Sequence, residues 1–307
     1  MNLGFNNKFR LLSIYLAVIF GLMAAVFWGL APIFSKKSFT EDGEPAIAAM
    51  IYATIGSIGL LLASVVIYDF STVLESASIR KFAPFILSGV IGTALGRILN
   101  YNGIDKLGSS INAGLVSFNP VFASLIALIF LGETYTYIQI SAVFTSSIGL
   151  LIISYSGGGE KDGWKKTWLV LPLSAALAYG SGAVLRRYGL EMDAVQPILA
   201  TGVNEISALF VISMYVSFKS NQAVSEVLTG KYSYLIIGGV LNSCGIMSLF
   251  ASLDQGPVVI GTTLSSLSAV VTLTVTAFYM SEFEEVNREQ VIGTLLTVVS
   301  VVIVVAS

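Results

Sequence analysis

Histidine is absent from this 307-residue chain, and cysteine occurs once, as Cys244. Without histidine the usual proton shuttle and the commonest zinc ligand are missing. A single thiol can neither close an internal disulfide nor build a metal site. Charge is scarce too: Asp, Glu, Lys and Arg make up 11% of the residues, against roughly 25% in a water-soluble domain. A net charge of −2 with no long basic run argues against a nucleic-acid partner. No nucleophile–base pair, Walker loop, Gly-x-Ser-x-Gly or His-Glu-x-x-His motif occurs, and glycines 157–159 lack the Lys-Ser/Thr that phosphate binding requires. An enzyme is not expected, nor a cofactor or a metal centre.

Apolar residues fill the space that charge leaves. They make up 55% of the chain, and the mean hydropathy is +0.84. They fall into ten runs, at about 11–34, 45–68, 82–101, 109–131, 138–154, 168–185, 197–218, 232–253, 257–280 and 291–306. Runs of this kind are long enough to cross a bilayer as helices. The first follows Lys8 and Arg10 but continues to Phe34, too long for a signal-peptide core, and so reads as a membrane span. Pro45 stands at the start of the second helix, where its missing N–H costs nothing. The expected organisation is a tail (1–10), five spans (11–155), a glycine- and charge-rich linker (156–167) and five more spans (168–307).

The two sets of five are copies. Asp105 to Glu133 and Asp254 to Glu282 have the same Asp-to-Glu spacing of 28 and align without a gap. Ile111 meets Ile260, Leu115 meets Leu264, Ser117 meets Ser266 and Val121 meets Val270. Upstream in the same register, Tyr101 meets Phe250, Gly96 meets Gly245 and Gly89 meets Gly238. One register held across helix, loop and helix marks a duplicated unit. Because five is odd, the second copy enters the membrane from the opposite side. The expected fold class is therefore an all-α integral membrane protein, ten transmembrane helices arranged as two inverted five-helix repeats. Such repeats place a substrate site at the mid-membrane interface between them.

Polar side chains inside the spans are the candidate site. Glu205 sits near the centre of the seventh span; a carboxylate there costs at least a few kcal/mol, roughly, unless paired, hydrated or protonated. It reads as a proton-coupling acid or an amine ligand, or as a protonated structural group. Arg97 lies about 6 Å past the middle of the third span and offers a planar fork for carboxylate or phosphate, with Asn100 and Tyr101 on its face. Arg97 and Glu205 come from opposite halves, so they either bracket a zwitterion or neutralise each other. Asn112 and Asn119 share a face of the fourth span. Thr262, Ser265, Ser268 and Thr272 answer from the ninth, and Ser268 matches Asn119 in the repeat register. These faces line a cavity or bond helix to helix. Trp28 and Tyr179, each followed by glycine, occupy equivalent places in the first and sixth spans as walls or gates. Gly89, Gly92 and Gly96 give the third span a face for close helix approach. Glu133 and Glu282 each precede a helix whose N-terminus they favour. Arg186-Arg187 closes the sixth span as Lys36-Lys37 closes the first.

Trp28-Gly29 with Lys36-Lys37, Asn119-Pro120 in mid-span, and Leu131-Gly132-Glu133 before a short fifth helix, repeated later with Ser281-Glu282, resemble the drug/metabolite transporter superfamily in its EamA-type ten-helix branch. The resemblance runs over nearly the whole chain after residue 10. It departs at Tyr52, where many relatives carry arginine, and at Ala269, which stands where the register calls for proline. It implies a central cavity and both termini cytoplasmic, in a plasma (inner) membrane. A count of loop cations leans the other way, with six on the side of the N-terminus and nine opposite. The expected function is alternating-access transport of a small polar metabolite, an amino acid or related compound, with Arg97 and Glu205 binding and Glu205 as the proton-coupling candidate. The lipid bilayer is its other partner, and the chain is a monomer or homodimer. Two alternatives stand: an exchanger of phosphorylated metabolites or nucleotide sugars, and a membrane scaffold that transports nothing.

Overall fold

The structure, a computed structural model, describes residues 3–36, 45–76, 78–156, 163–192, 195–219, 232–279 and 287–307. Half of the glycine-rich linker (157–162), Lys37 and Ser281-Glu282 lie outside the described residues. Among the described residues, ten helices are long and apolar enough to cross a membrane. The first four spans are Leu3–Lys36, Pro45–Ser76, Ile79–Leu107 and a broken pair, Ser109–Val116 and Asn119–Phe130. The fifth to eighth are Tyr137–Ser156, Val170–Glu191, Pro197–Lys219 and Tyr232–Gln255. The ninth is again broken, into Val258–Ser265 and Ser268–Tyr279, and the tenth is Arg288–Ala306. Large apolar side chains such as Leu62, Val66, Ile129, Phe130 and Val302 point outward. That is how a bundle meets lipid, with every backbone group satisfied inside a helix.

Packing follows the repeat. The first span lies along the eighth as the sixth lies along the third, and the ninth packs on the first as the fourth packs on the sixth. The second pairs with the seventh and the fifth with the tenth, across the pseudo-axis. The register is visible atom by atom. A Cβ built on Gly245 would lie 2.5 Å from the Trp28 ring, and one built on Gly96 would lie 2.6 Å from the Tyr179 ring. A Cβ built on Gly29 would lie 2.9 Å from the Ser268 carbonyl oxygen, and one built on Gly180 would lie 3.1 Å from that of Asn119. Each half therefore wedges an aromatic ring against a glycine of the other. Gly92 and Gly182 let the third and sixth spans touch: a Cβ on either would stand 2.5 Å from the other's Cα. The close approach expected of the third span's glycines is realised there.

Both broken spans break at equivalent residues by equivalent bonds. Ser117 Oγ donates to the Gly114 carbonyl and Ser266 Oγ to that of Thr263, both at 2.6 Å. The amides of Phe118 and Leu267 turn back to Leu115 and Leu264, at 3.2 and 3.0 Å. Pro120 follows the first break, whereas Ala269 follows the second, so proline is not what makes the turn. Ala269 donates its amide only in a long 3.4 Å bond to Ser266, near a helix start that tolerates proline. We therefore expect Ala269→Pro to change stability by less than about 1 kcal/mol. Val275→Pro, in mid-helix, should cost about 3 kcal/mol or more. Thermal unfolding in detergent checks both; equal losses would refute this account of the break.

One feature has no counterpart across the repeat. Residues Ser88–Leu95 of the third span form a π-helix, wider than an α-turn, of the kind that often marks functional segments. The eighth span is α-helical throughout.

Candidate functional site

Three helices present the same stripe to the centre of the bundle. The third span contributes Thr93, Arg97 and Asn100; the eighth, Asn242, Ile246 and Leu249; the sixth, Tyr179, Ala183 and Arg186. Each set is spaced i, i+4, i+7, one face of a helix. The first two sets are repeat equivalents, 149 positions apart. With Trp28 and residues around the two helix breaks (Val116, Asn119, Thr262, Ser265, Ser268) they enclose a cavity of about 390 Å³. This is a size that suits a small molecule. Its shape follows the pseudo-symmetry while its chemistry does not. One wall carries Thr93, Arg97, Asn100 and Arg186; the equivalent wall on the eighth span carries Asn242 but otherwise the apolar Ile246 and Leu249.

Of the residues singled out from sequence, Trp28, Arg97, Asn100, Asn119, Tyr179 and Ser268 line this cavity. Glu205, Asn112 and Tyr101 stand one layer back. Glu205 is fully buried, and its Oε2 is 3.7 Å from Arg97 Nη1. That is too long for a hydrogen bond, and neither atom has another hydrogen-bond partner among the described residues. Glu205 Oε1 accepts from Asn204 Nδ2 at 3.3 Å. Asn112 Nδ2 donates to Asn100 Oδ1 at 2.5 Å and so holds Asn100 toward the cavity. Tyr101 packs against a small buried cluster of Ala49, Ala94, Ala208 and Ile212.

Arg186 is the residue that the sequence reading misplaced. Grouped with Arg187 as the cationic end of the sixth span, it is instead 5% exposed, and the helix runs on to Glu191. Arg187 does reach the helix-end carbonyls of Leu253 and Asp254, at 2.7 and 3.1 Å. Arg186 Nη2 donates to Thr93 Oγ1 at 2.9 Å and Nε to Asn204 Oδ1 at 3.4 Å, with the guanidinium 5.3 Å from the Phe250 ring centre. Asn204 ties the group together: its Nδ2 also donates to Thr93 Oγ1 at 2.9 Å, and its Oδ1 accepts from Ser88 Oγ at 2.6 Å. Thr93, Asn204 and Asn242 were likewise not singled out. The available signal was the i, i+4, i+7 spacing of Tyr179, Ala183 and Arg186, matching that of the third span.

Burial grades along the cavity. Thr93, Arg186, Leu249 and Thr262 are buried, whereas Trp28, Asn100, Val116, Tyr179 and Asn242 are partly exposed. Below the buried end, Phe85, Leu190, Phe250, Leu253 and Val258 form a packed apolar plug. Beneath the plug is a polar latch. Gly132 adopts φ +67°, a left-handed turn that glycine allows, and Glu133 follows it. Both carboxylate oxygens of Glu133 accept the Val258 amide at 3.1 Å, capping the ninth span instead of the fifth helix that follows Glu133 in sequence. The Tyr135 hydroxyl donates to Glu133 in a short bond, and Arg187 Nε lies 3.9 Å away. Arg187 also pairs with Glu191 at 2.9 Å. Burial raises the Glu133 carboxyl above the usual carboxylate range, although Tyr135, the Val258 amide and Arg187 all pull it down. The Tyr135 hydroxyl is pushed up by burial and by the Glu133 charge. Ten spans place the latch on the side of the membrane where the first span begins and the tenth ends. The cavity is closed there and opens toward the other side.

Comparison with known proteins agrees with this architecture. A crystal structure overlays with a TM-score of 0.76 at 13% identity, covering 94% of this chain and 96% of that one, a likeness of fold alone. The uncharacterized protein MJ1333.1 of Methanocaldococcus jannaschii is 24% identical over 140 residues, 46% of this chain but 97% of that protein. One half of this chain thus matches a whole relative. The uncharacterized transporter YdfC of Bacillus subtilis is 24% identical over 142 residues, 46% of this chain and 43% of YdfC. The S-adenosylmethionine/S-adenosylhomocysteine transporter of Chlamydia trachomatis is 24% identical over 222 residues, 69% of this chain and 63% of that protein. The model of the EamA-like transporter family matches twice, over residues 15–155 and 166–306, once for each five-helix half. With both halves matched and folded as inverted copies around a shared cavity, the chain belongs to the EamA-like transporter family.

Proposed function

We propose that this protein is a secondary transporter that moves a small polar metabolite, an amino acid or a compound derived from one, by alternating access. The observation that carries this reading is the cavity between the halves, sealed toward the termini by the plug and the Glu133 latch and open opposite. In the other state the latch releases and the far ends close. The relative named for S-adenosylmethionine supports an amino-acid-derived cargo. Arg97 takes part of the cargo, while Asn100, Asn119 and Ser268 supply hydrogen bonds beside the rings of Trp28 and Tyr179. Glu205 is the coupling acid: a proton on its carboxylate frees Arg97 from the one charged partner it has among the described residues, at the moment cargo must be held. The termini lie in the cytoplasm of a cell bounded by the membrane that holds the protein, so the cavity faces outward here.

A second reading, exchange of phosphorylated metabolites, is favoured by one observation. It requires more than one deep cation, and Arg186 is that second cation. The test is reconstitution. Liposomes containing the purified protein are loaded with a defined mixture of amino acids, their nucleoside conjugates and sugar phosphates, and protein-dependent efflux is read by mass spectrometry. Efflux of amino-acid-type compounds supports the first reading and that of phosphorylated compounds the second. Efflux of no compound above protein-free liposomes, with or without a pH gradient, overturns both.

A further inference from the structure

Resting on the transport reading, and narrowing its cargo to amino-acid-derived or phosphorylated compounds without a free amine, we propose that the cargo is an amphipathic anion. Its carboxylate or phosphate is held between the guanidiniums of Arg97 and Arg186, and its apolar part lies against Trp28, Ile246 and Leu249. Three observations converge. Two guanidiniums line the cavity against one nearby carboxylate, Glu205, which is set behind the wall with its Oε2 3.7 Å from Arg97. With two cations to one carboxylate, the space carries a net positive charge. Arg97 Nη1 is buried without a hydrogen-bond partner among the described residues, as is Asn242 Nδ2 on the facing helix. Buried donors left unmade are costly, and a multi-oxygen anion satisfies them with the charge-assisted bonds that guanidinium makes best. Finally, the repeat places apolar Ile246 and Leu249 at the positions equivalent to Arg97 and Asn100. One wall binds charge and the other is apolar but for Asn242, and among the described residues no acidic side chain lines the cavity to receive a cargo amine.

The charge can be read without transport. The chain has three tryptophans, and Trp28 alone lines the cavity. With Trp164 and Trp168 replaced by phenylalanine, Trp28 fluorescence is quenched by iodide, caesium and neutral acrylamide in turn. Iodide should quench at least twofold better than caesium. Arg186→Gln should bring that ratio down toward one with acrylamide quenching unchanged, and Arg186→Lys should preserve it. Phenyl phosphate and phenylacetate should protect Trp28 and raise the melting temperature; phenethylamine should do neither. Protection by phenyl phosphate alone assigns a phosphate, and protection by both leaves the shared anionic chemistry. Caesium quenching as well as iodide, or protection by phenethylamine and by neither anion, overturns the proposal whether or not the liposome assay finds transport. Absent transport with this quenching pattern intact would instead sink the transport reading alone.

Discussion

Replacing Arg97 with leucine should abolish transport and lower the melting temperature on the order of 10 °C. The reason is the environment of Glu205, which is fully buried and has Arg97 as its charged partner at 3.7 Å. Removing one member of a buried pair leaves the other charge without its near partner, a loss of about 3–5 kcal/mol, and a few degrees accompany each kcal/mol in a chain of this size. The double variant Arg97→Met with Glu205→Leu separates stability from function. Both charges are gone and the volume is kept, so stability should return to within about 1 kcal/mol of the parent or exceed it. Transport should remain lost, because the cavity has lost a cation. Melting curves and liposome efflux on the two single variants and the double variant form a cycle. A double variant that regains transport would show the pair to be scaffolding, and a single Arg97→Leu variant with normal stability would show that it is not a pair.

The second large effect should come from the latch, and it depends on pH. In the closed form burial holds the Glu133 carboxyl above its ordinary value; released to water, it returns to about 4.3. The closed form therefore binds the proton more tightly, and acid favours it. Closure should strengthen as pH falls through the window between the raised value and the ordinary one. It should weaken as pH rises back through that window and level off outside it. In a Cys244→Ser background, a cysteine replacing fully buried Leu253 reports opening through its rate of modification. Glu133→Gln should flatten the pH dependence. Glu133→Ala removes the acceptor of the Val258 amide, a cap worth about 1–2 kcal/mol, and should speed modification by roughly 5- to 30-fold. A Leu253→Cys rate that rises on acidification, or is unmoved by Glu133→Ala, would remove the latch from the transport cycle.

Much of this was legible beforehand for a physical reason: a duplicated unit must keep its contacts as well as its residues. Gly96 and Gly245 match in sequence because each receives an aromatic ring from the other half, and Ser117 and Ser266 match because each bonds back to its own turn at a helix break. Arg97 and Glu205 announced themselves as charges where charge is expensive. What stayed hidden was three-dimensional. Nothing local distinguishes an arginine at a helix end from one a turn inside it, so the doublet Arg186-Arg187 read as a pair of loop cations. Glu133 read as favouring its own neighbouring helix, because a carboxylate's reach across a left-handed glycine to the ninth span depends on the packed bundle. That Glu205 stands behind Arg97 instead of beside it depends on rotation of the seventh span, which polar spacing does not set. No residue type demands the π-helix of the third span.

That wide turn bears on how the two halves would trade places in the proposed transport cycle. In a pseudo-symmetric carrier, the opposite-facing conformer is built by giving each half the shape its twin now holds. Among the described residues only the third span carries the extra girth, so inverting the molecule would require residues 237–244 of the eighth span to swell by the same amount while 88–95 tightens into an ordinary coil. Each tightening step re-aims every side chain beyond it by the share of a turn that one residue occupies. Arg97 lies immediately beyond. The stroke that turns the gate would thereby also swing the guanidinium off its cargo, making release a rotation of one helix about its own axis.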